Sequence, residues 1–292
     1  MSNSTNLAKA LKISIKFMSG EVIEIDLSKV NFFLSKTGVS AKITVLKNDR
    51  HSLFNGSVEG KILKSSYKLF YILKENFIKI DDFYFRDKNL SFDSNGYLST
   101  KPFFEINLFS EIKHLNIDII KSLDIKNLFK SKNLIKKLNI QNDIIFQPKR
   151  FSKNIVNELN IKSSLAYGRL NFSKEILISK SKLACDGNLN LLEEYPIIYF
   201  YCNIKSPDMK DLLKRINVNY SKKNEVIDLD IQGNLNILNN KINFNRIFLN
   251  EKKLPKEDLK YLKNSFETIL FDESFFEIFE IKKIKNYILE II

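Results

Sequence analysis

Tryptophan is absent from this chain, and cysteine and histidine occur only twice each. Two His and two Cys, all far apart in sequence, cannot supply the clustered ligands of a zinc site. Cys185 and Cys202 imply no disulfide framework. Both fall in phase with apolar neighbours and read as buried thiols packing as small hydrophobes. Long apolar runs are missing too. Tyr195–Ile204 is the longest uncharged run of note, far short of the ~20 residues a spanning helix needs. Lys9, Lys12 and Lys16 break every apolar run near the N-terminus, so no signal peptide is read there. There is no Gly-rich phosphate loop and no nucleophile elbow. His51 lies in a polar turn and reads as solvated. The carboxylate pairs Asp81-Asp82 and Asp228/Asp230 sit among other polar residues, as a solvent face does. These absences point away from an enzyme: no catalytic residue, no metal and no cofactor is expected.

What is present is phenylalanine, 24 residues of it, in a chain of 292 residues that is 44% hydrophobic. The clearest pattern is in Glu225–Asn250. Ile227, Leu229 and Ile231 alternate with Asp228, Asp230 and Gln232. Leu235 and Ile237 alternate with Asn234 and Asn236. Period-two alternation places apolar side chains on one strand face and polar ones on the other. Asn239-Asn240 marks a turn, and Ile242 and Phe244 restart the pattern. Ile198, Phe200, Cys202 and Ile204 share one face of an earlier strand, with Tyr199, Tyr201 and Asn203 on the other. Asp186-Gly187-Asn188-Leu189 echoes Gln232-Gly233-Asn234-Leu235 at a distance of 46 residues, the mark of recurring β units.

Four regions follow. Residues 1–115 form an N-terminal β region, with turns at Ser19-Gly20, Thr37-Gly38 and Asn95-Gly96 and a short helix expected over Tyr67–Lys74. Residues 116–156 are a basic helical or linker segment carrying Lys126, Lys130, Lys132, Lys136, Lys137, Lys149 and Arg150. Nucleic-acid binding would want interleaved aromatics there. Only Phe129, Phe146 and Phe151 occur, so a solvated helical segment is expected and nucleic acid is not a partner. The net charge of +13 is spread along the chain rather than concentrated. Residues 157–250 are a second β region, with a short helix after Asp208. Residues 251–292 form amphipathic helices, with Pro255 at a first helical position. Ile278, Ile281, Ile284, Ile288 and Ile291 lie along one side of the last helix, thickened by Phe275, Phe276 and Phe279. With Lys282 and Lys283, these phenylalanines are candidate contacts to an anionic membrane surface. The competing reading packs this helix on the sheet.

The strands with Gly-x-Leu elements carry a resemblance. Asn95-Gly96-Tyr97-Leu98 followed by Lys101-Pro102-Phe103, Asp186-Gly187-Asn188-Leu189 followed by Ile198–Ile204, the Gln232-Gly233-Asn234-Leu235 hairpin and the tail Leu254–Ile292 resemble the C-terminal region of AsmA-like envelope proteins, the AsmA/TamB/YhdP group. The resemblance implies a mainly β, extended and curled antiparallel sheet, a β-groove with a few helices and a helical tail. It also implies a non-enzymatic role in which the groove conducts phospholipid between inner and outer membrane. Its partners would be phospholipid, the membrane surface, and an upstream membrane-anchored part or other envelope proteins. Its place would be the periplasm, associated with the inner membrane, although no signal peptide or transmembrane anchor is read in this chain. Candidate groove residues are Ile198, Phe200, Leu229, Ile231, Leu235 and Ile237. The alternative is a structural protein in which those residues are the dry core of a closed β-sandwich.

Overall fold

The computed structural model describes residues 13–16, 22–25, 29–34, 39–48, 53–62, 64–101, 104–116, 132–148, 155–220, 224–271 and 280–291. The fold is mainly β. Strands β1 (Ile13–Lys16) and β2 (Val22–Ile25) pair as a small antiparallel hairpin. All other strands form one 15-stranded sheet. Its first half holds β3 (Lys29–Leu34), β4 (Val39–Asn48), β5 (Leu53–Ile62), β6 (Ser65–Lys74), β7 (Phe77–Arg86), β8 (Leu90–Ser99) and β9 (Glu105–Leu115). The second half holds β10 (Asn139–Phe146), β11 (Glu158–Ala166), β12 (Arg169–Ile178), β13 (Ser181–Asn190), β14 (Ile197–Ser206), β15 (Ile227–Asn236), β16 (Lys241–Leu249) and the two-residue β17 (Lys252–Lys253).

Within this sheet every strand lies beside its neighbours in sequence. Tight connections enforce this. Glu75, Tyr167 and Ser179 each open a two-residue turn at positive φ, 45°, 51° and 54°. That twist suits short hairpins. Among the described strands only β9 and β10 pair in parallel. The segment 116–138 between them is long enough for the crossover a parallel pair needs. The sheet stays open, with β3 at one edge and β17 at the other. At ~4.8 Å between strands, it spans roughly 67 Å.

Among the described residues four helices accompany it. The single turn α1 (Lys132–Ile135) ends the crossover, and α2 (Met209–Arg215) follows β14. Asp208 caps α2 by accepting a hydrogen bond from the Asp211 amide at 2.8 Å. Helix α3 (Lys256–Leu270) packs on β16, and α4 (Ile281–Ile291) packs on α3. None is long and apolar enough to cross a membrane.

Several local expectations change. Tyr67–Lys74 is strand β6, not a helix. Its spacing fits both periods, and pairing with β5 and β7 selects the extended form. The basic segment is not wholly helical, because Asn139–Phe146 forms β10 at the centre of the sheet. Asn95-Gly96 is not a turn. It lies inside β8, and Gly187 and Gly233 likewise lie inside β13 and β15. Pro255 is the N-cap of α3 rather than its first residue. Cys185 and Cys202 are not free thiols. They oppose each other directly on β13 and β14 and form a disulfide. Asn240 does turn the chain as expected, at φ 52°. Ser19-Gly20, Thr37-Gly38 and His51 lie outside the described residues.

Candidate functional site

Cross-strand register carries the alternation of each strand into rows that run across the sheet. One row reads Leu73, Ile78, Leu98, Ile106, Ile140, Leu165, Leu170, Leu189, Ile198, Leu235, Ile242. A second, nearer the other strand ends, reads Tyr67, Phe85, Phe92, Ile112, Phe146, Leu159, Ile176, Leu183, Ile204, Leu229, Leu249. Both rows are apolar from β6 to β16. They bound one continuous oily face.

Between them runs a row of glycines and large side chains: Gly56, Tyr71, Ile80, Gly96, Leu108, and later Phe172, Gly187, Phe200, Gly233, Phe244. The repeated Gly-x-Leu elements thus place glycine in one line across the sheet. The obstacle differs: at Gly96, at φ 152°, a Cβ would run into the Asn107 backbone, while at Gly187 and Gly233 it would meet a ring. A Cβ at Gly187 would fall against the Phe172 ring, and one at Gly233 would stand 2.8 Å from Phe200 Cζ. At Gly233 the Asn243 carbonyl oxygen is nearer still, at 2.5 Å, so both mid-strand positions leave no room for a side chain.

The opposite face is wet. Tyr201 donates to Asp230 Oδ1 at 2.6 Å, and Asn203 Nδ2 donates to Asp228 and Asp230 at 3.0 and 2.8 Å. The Tyr201 hydroxyl and the Asn203 amide hold the Asp230 carboxyl below its usual range. Ion pairs Lys182–Glu175 and Lys205–Asp228 lie on the same side. The two aspartates therefore belong to a solvated network. Among the described residues no group of His, Cys, Asp and Glu could hold a metal ion.

Cover over the oily face is uneven. At the C-terminal end Phe271 closes on Leu235 and Ile242, with Ile198, Phe200, Phe244 and Phe266 around them. Ile135 of α1 closes on Leu189, Leu191 and Ile237 near one rim. Lys132 ties α1 there by donating to the Leu192 and Glu193 carbonyls at 3.0 and 2.9 Å. From β6 to β9, by contrast, the apolar residues are only half-buried. Among the described residues no second sheet stacks on them.

The expected groove residues fall together at the covered end. Leu235 and Ile237 are buried beneath the Phe271 and Ile135 clusters, and Ile198 packs against both. Phe200 packs against the Phe271 cluster. Leu229 and Ile231 lie on the same face and are half-buried. The open stretch is lined instead by Leu73, Ile78, Leu98 and Ile106, which sequence reading did not single out. Leu73 lay in a stretch expected to be helical, and the alignment of all four needed the register of each hairpin. Lys174 was also missed. It stands on the oily face between Ile161 and Cys185, and burial holds its ammonium below the usual lysine range. On α4, Lys282 is exposed and Lys283 half-buried, while Phe275, Phe276 and Phe279 lie outside the described residues. The chain matches no family model, no curated protein and no solved structure.

Proposed function

We propose that the open apolar face binds and conducts phospholipid acyl chains, in a non-enzymatic protein of the cell envelope working between two membranes. The observation that carries this is the pair of apolar rows running from β6 to β16, half-buried along β6 to β9 and, among the described residues, closed by helix towards the C-terminal end. Contiguous apolar surface of such extent marks an interaction site. Across its 11 strands it runs roughly 48 Å, about one and a half times the hydrocarbon thickness of a bilayer. At about 0.8 kcal/mol per buried CH₂, shielding one acyl chain of about 16 carbons is worth roughly 12 kcal/mol. That is the cost of carrying the chain through water, and an apolar face lowers it with no chemical step.

Two further features support the reading. A disulfide belongs to an oxidising compartment such as the periplasm. On α4, Ile281, Leu289 and Ile291 are exposed beside Lys282, a pairing suited to a lipid surface. The resemblance to AsmA-like proteins describes the same activity.

The test is native mass spectrometry with lipid extraction on the chain purified from a Gram-negative host. Co-purifying phospholipid, lost in Leu98→Asp and Ile106→Asp variants that keep their far-ultraviolet β signal, is the expected result. Lipid-free wild-type protein, or variants that hold lipid as well as wild type, would overturn it.

A further inference from the structure

The oily face has a polar island at its middle. Ser94 on β8 and Ser110 on β9 are buried and share a hydrogen bond. Ser110 donates to Asn142 Oδ1 of β10, and Ser163 of β11 donates to the Asn142 carbonyl, both at 3.4 Å. Register places Ser94 and Ser110 beside Ile144, and Asn142 and Ser163 between Leu108 and Phe172. Lys174 on β12 completes the island, one row over from Ser163. Its strand neighbours on this face are Ile161, Phe172, Ile176 and Cys185, none of which is acidic. On the wet face Lys182 pairs with Glu175 and Lys205 with Asp228. Among the described residues no carboxylate is paired with Lys174.

We propose that Lys174 and this island form the headgroup station of the trough, receiving the oxyanion of an anionic amphiphile. This rests on the lipid-carrying reading and names the substrate class. An ammonium on an apolar surface keeps part of its hydration while the face is open. A ligand whose tails cover the face removes that water. A neutral ligand would leave the charge unpaired and desolvated, which is costly. A ligand that brings a phosphate or carboxylate supplies the missing partner in a charge-assisted contact. The Ser and Asn groups stand within the same patch for the polar atoms next to that anion. Apolar rows on both sides of the island take the tails. The station therefore selects anionic amphiphiles over neutral ones of equal tail length.

Isothermal titration calorimetry with three short-chain probes tests this: a diacyl phosphatidylglycerol, a fatty acid, and a diacylglycerol with the same tails as the first. Inorganic phosphate is the tail-free control. Wild-type protein is expected to bind both anionic amphiphiles about 10- to 100-fold more tightly than diacylglycerol, the scale of one charge-assisted hydrogen bond. Lys174→Met should abolish that preference while still binding diacylglycerol, and Lys174→Arg should keep it. The tighter of the two anionic probes then identifies phosphate or carboxylate as the source. Equal binding of all three amphiphiles by wild type and K174M would overturn the station and leave the groove intact. Binding of no amphiphile would overturn the groove itself. Inorganic phosphate binding as tightly as the phospholipid would also overturn the proposal, since the site would then read an ion without its tails.

Discussion

Reduction of the Cys185–Cys202 disulfide is expected to destabilise the second half of the sheet by about 3 kcal/mol. The bond joins β13 to β14 across a sequence separation of 17, and a closed loop of that size removes about 3 kcal/mol of chain entropy from the unfolded state. For a chain of this length, each kcal/mol moves the melting temperature by about 2–4 °C, so the shift is roughly 6–12 °C. The assay is a thermal melt followed by circular dichroism with and without a thiol reductant. The Cys185→Ala/Cys202→Ala double variant serves as the control. It should melt near the reduced wild type and ignore reductant. Thiol titration of the unfolded, unreduced protein should find no free sulfhydryl. Coincident melts, or two free thiols in the oxidised protein, would refute the reasoning and restore the cysteines as buried hydrophobes.

Other outcomes follow from single contacts. Gly187→Ala and Gly233→Ala should each cost about 1–3 kcal/mol by overpacking, read from urea midpoints, and Phe172→Leu should recover part of the Gly187→Ala loss because its ring is the obstacle. Leu213, 2% exposed on α2, should cost about 3 kcal/mol when changed to Ala. Tyr287 packs edge-on against Phe266 at 5.4 Å. Burial first, and then Tyr261, pushes its phenol from 10.0 up to about 12. Because the neutral phenol is favoured by folding, its contribution is complete below pH 10 and lost as pH rises to about 12. Ultraviolet titration should show a tyrosine step near pH 12 that vanishes in Tyr287→Phe.

Much of the architecture was legible because it is local. Alternation in Ile227–Ile237 and Ile198–Ile204 named the oily face, and hairpin turns such as Asn239-Asn240 made each strand pair with its neighbour. What failed was whatever depended on a residue's opposite number. Gly96 read as a turn and Gly233 as part of a hairpin because glycine commonly punctuates a chain. That Gly187 and Gly233 make room for a ring on the next strand is visible only once Phe172 and Phe200 are in register, and Gly96 lies against the Asn107 backbone of β9. The same applies to the disulfide, since phase with apolar neighbours says that Cys185 and Cys202 face one way but not that they face each other. Asn139–Phe146 was hidden by the lysines and helical spacing around it. Lys174 looked like one more scattered lysine, because Asn171, Ser173 and Glu175 surround it with polar residues in sequence.

A sheet in which each strand touches only its sequence neighbours is nearly one-dimensional, and its stability is a sum of neighbour terms. Among the described residues the buried apolar side chains all fall at Ile135 or beyond, so those terms are unequal. The strands from β11 to β16 share the clusters closed by Ile135 and Phe271. The strands from β6 to β9 hold together by pairing, by half-buried rows and by ring contacts such as Phe83 and Phe85 with Phe92. Local opening should therefore be easier in the first half. Hydrogen exchange read by mass spectrometry should show β6–β9 amides exchanging well before those of β13–β16 in lipid-free protein. A bound amphiphile covers the first half and adds the apolar burial it lacks, so protection there should rise on lipid loading, by RT ln(1 + [L]/Kd) for each site, while β13–β16 changes little. Uniform exchange across the sheet, or protection gained only at the already closed end, would mean that the half-buried rows of β6–β9 are not where a ligand lies.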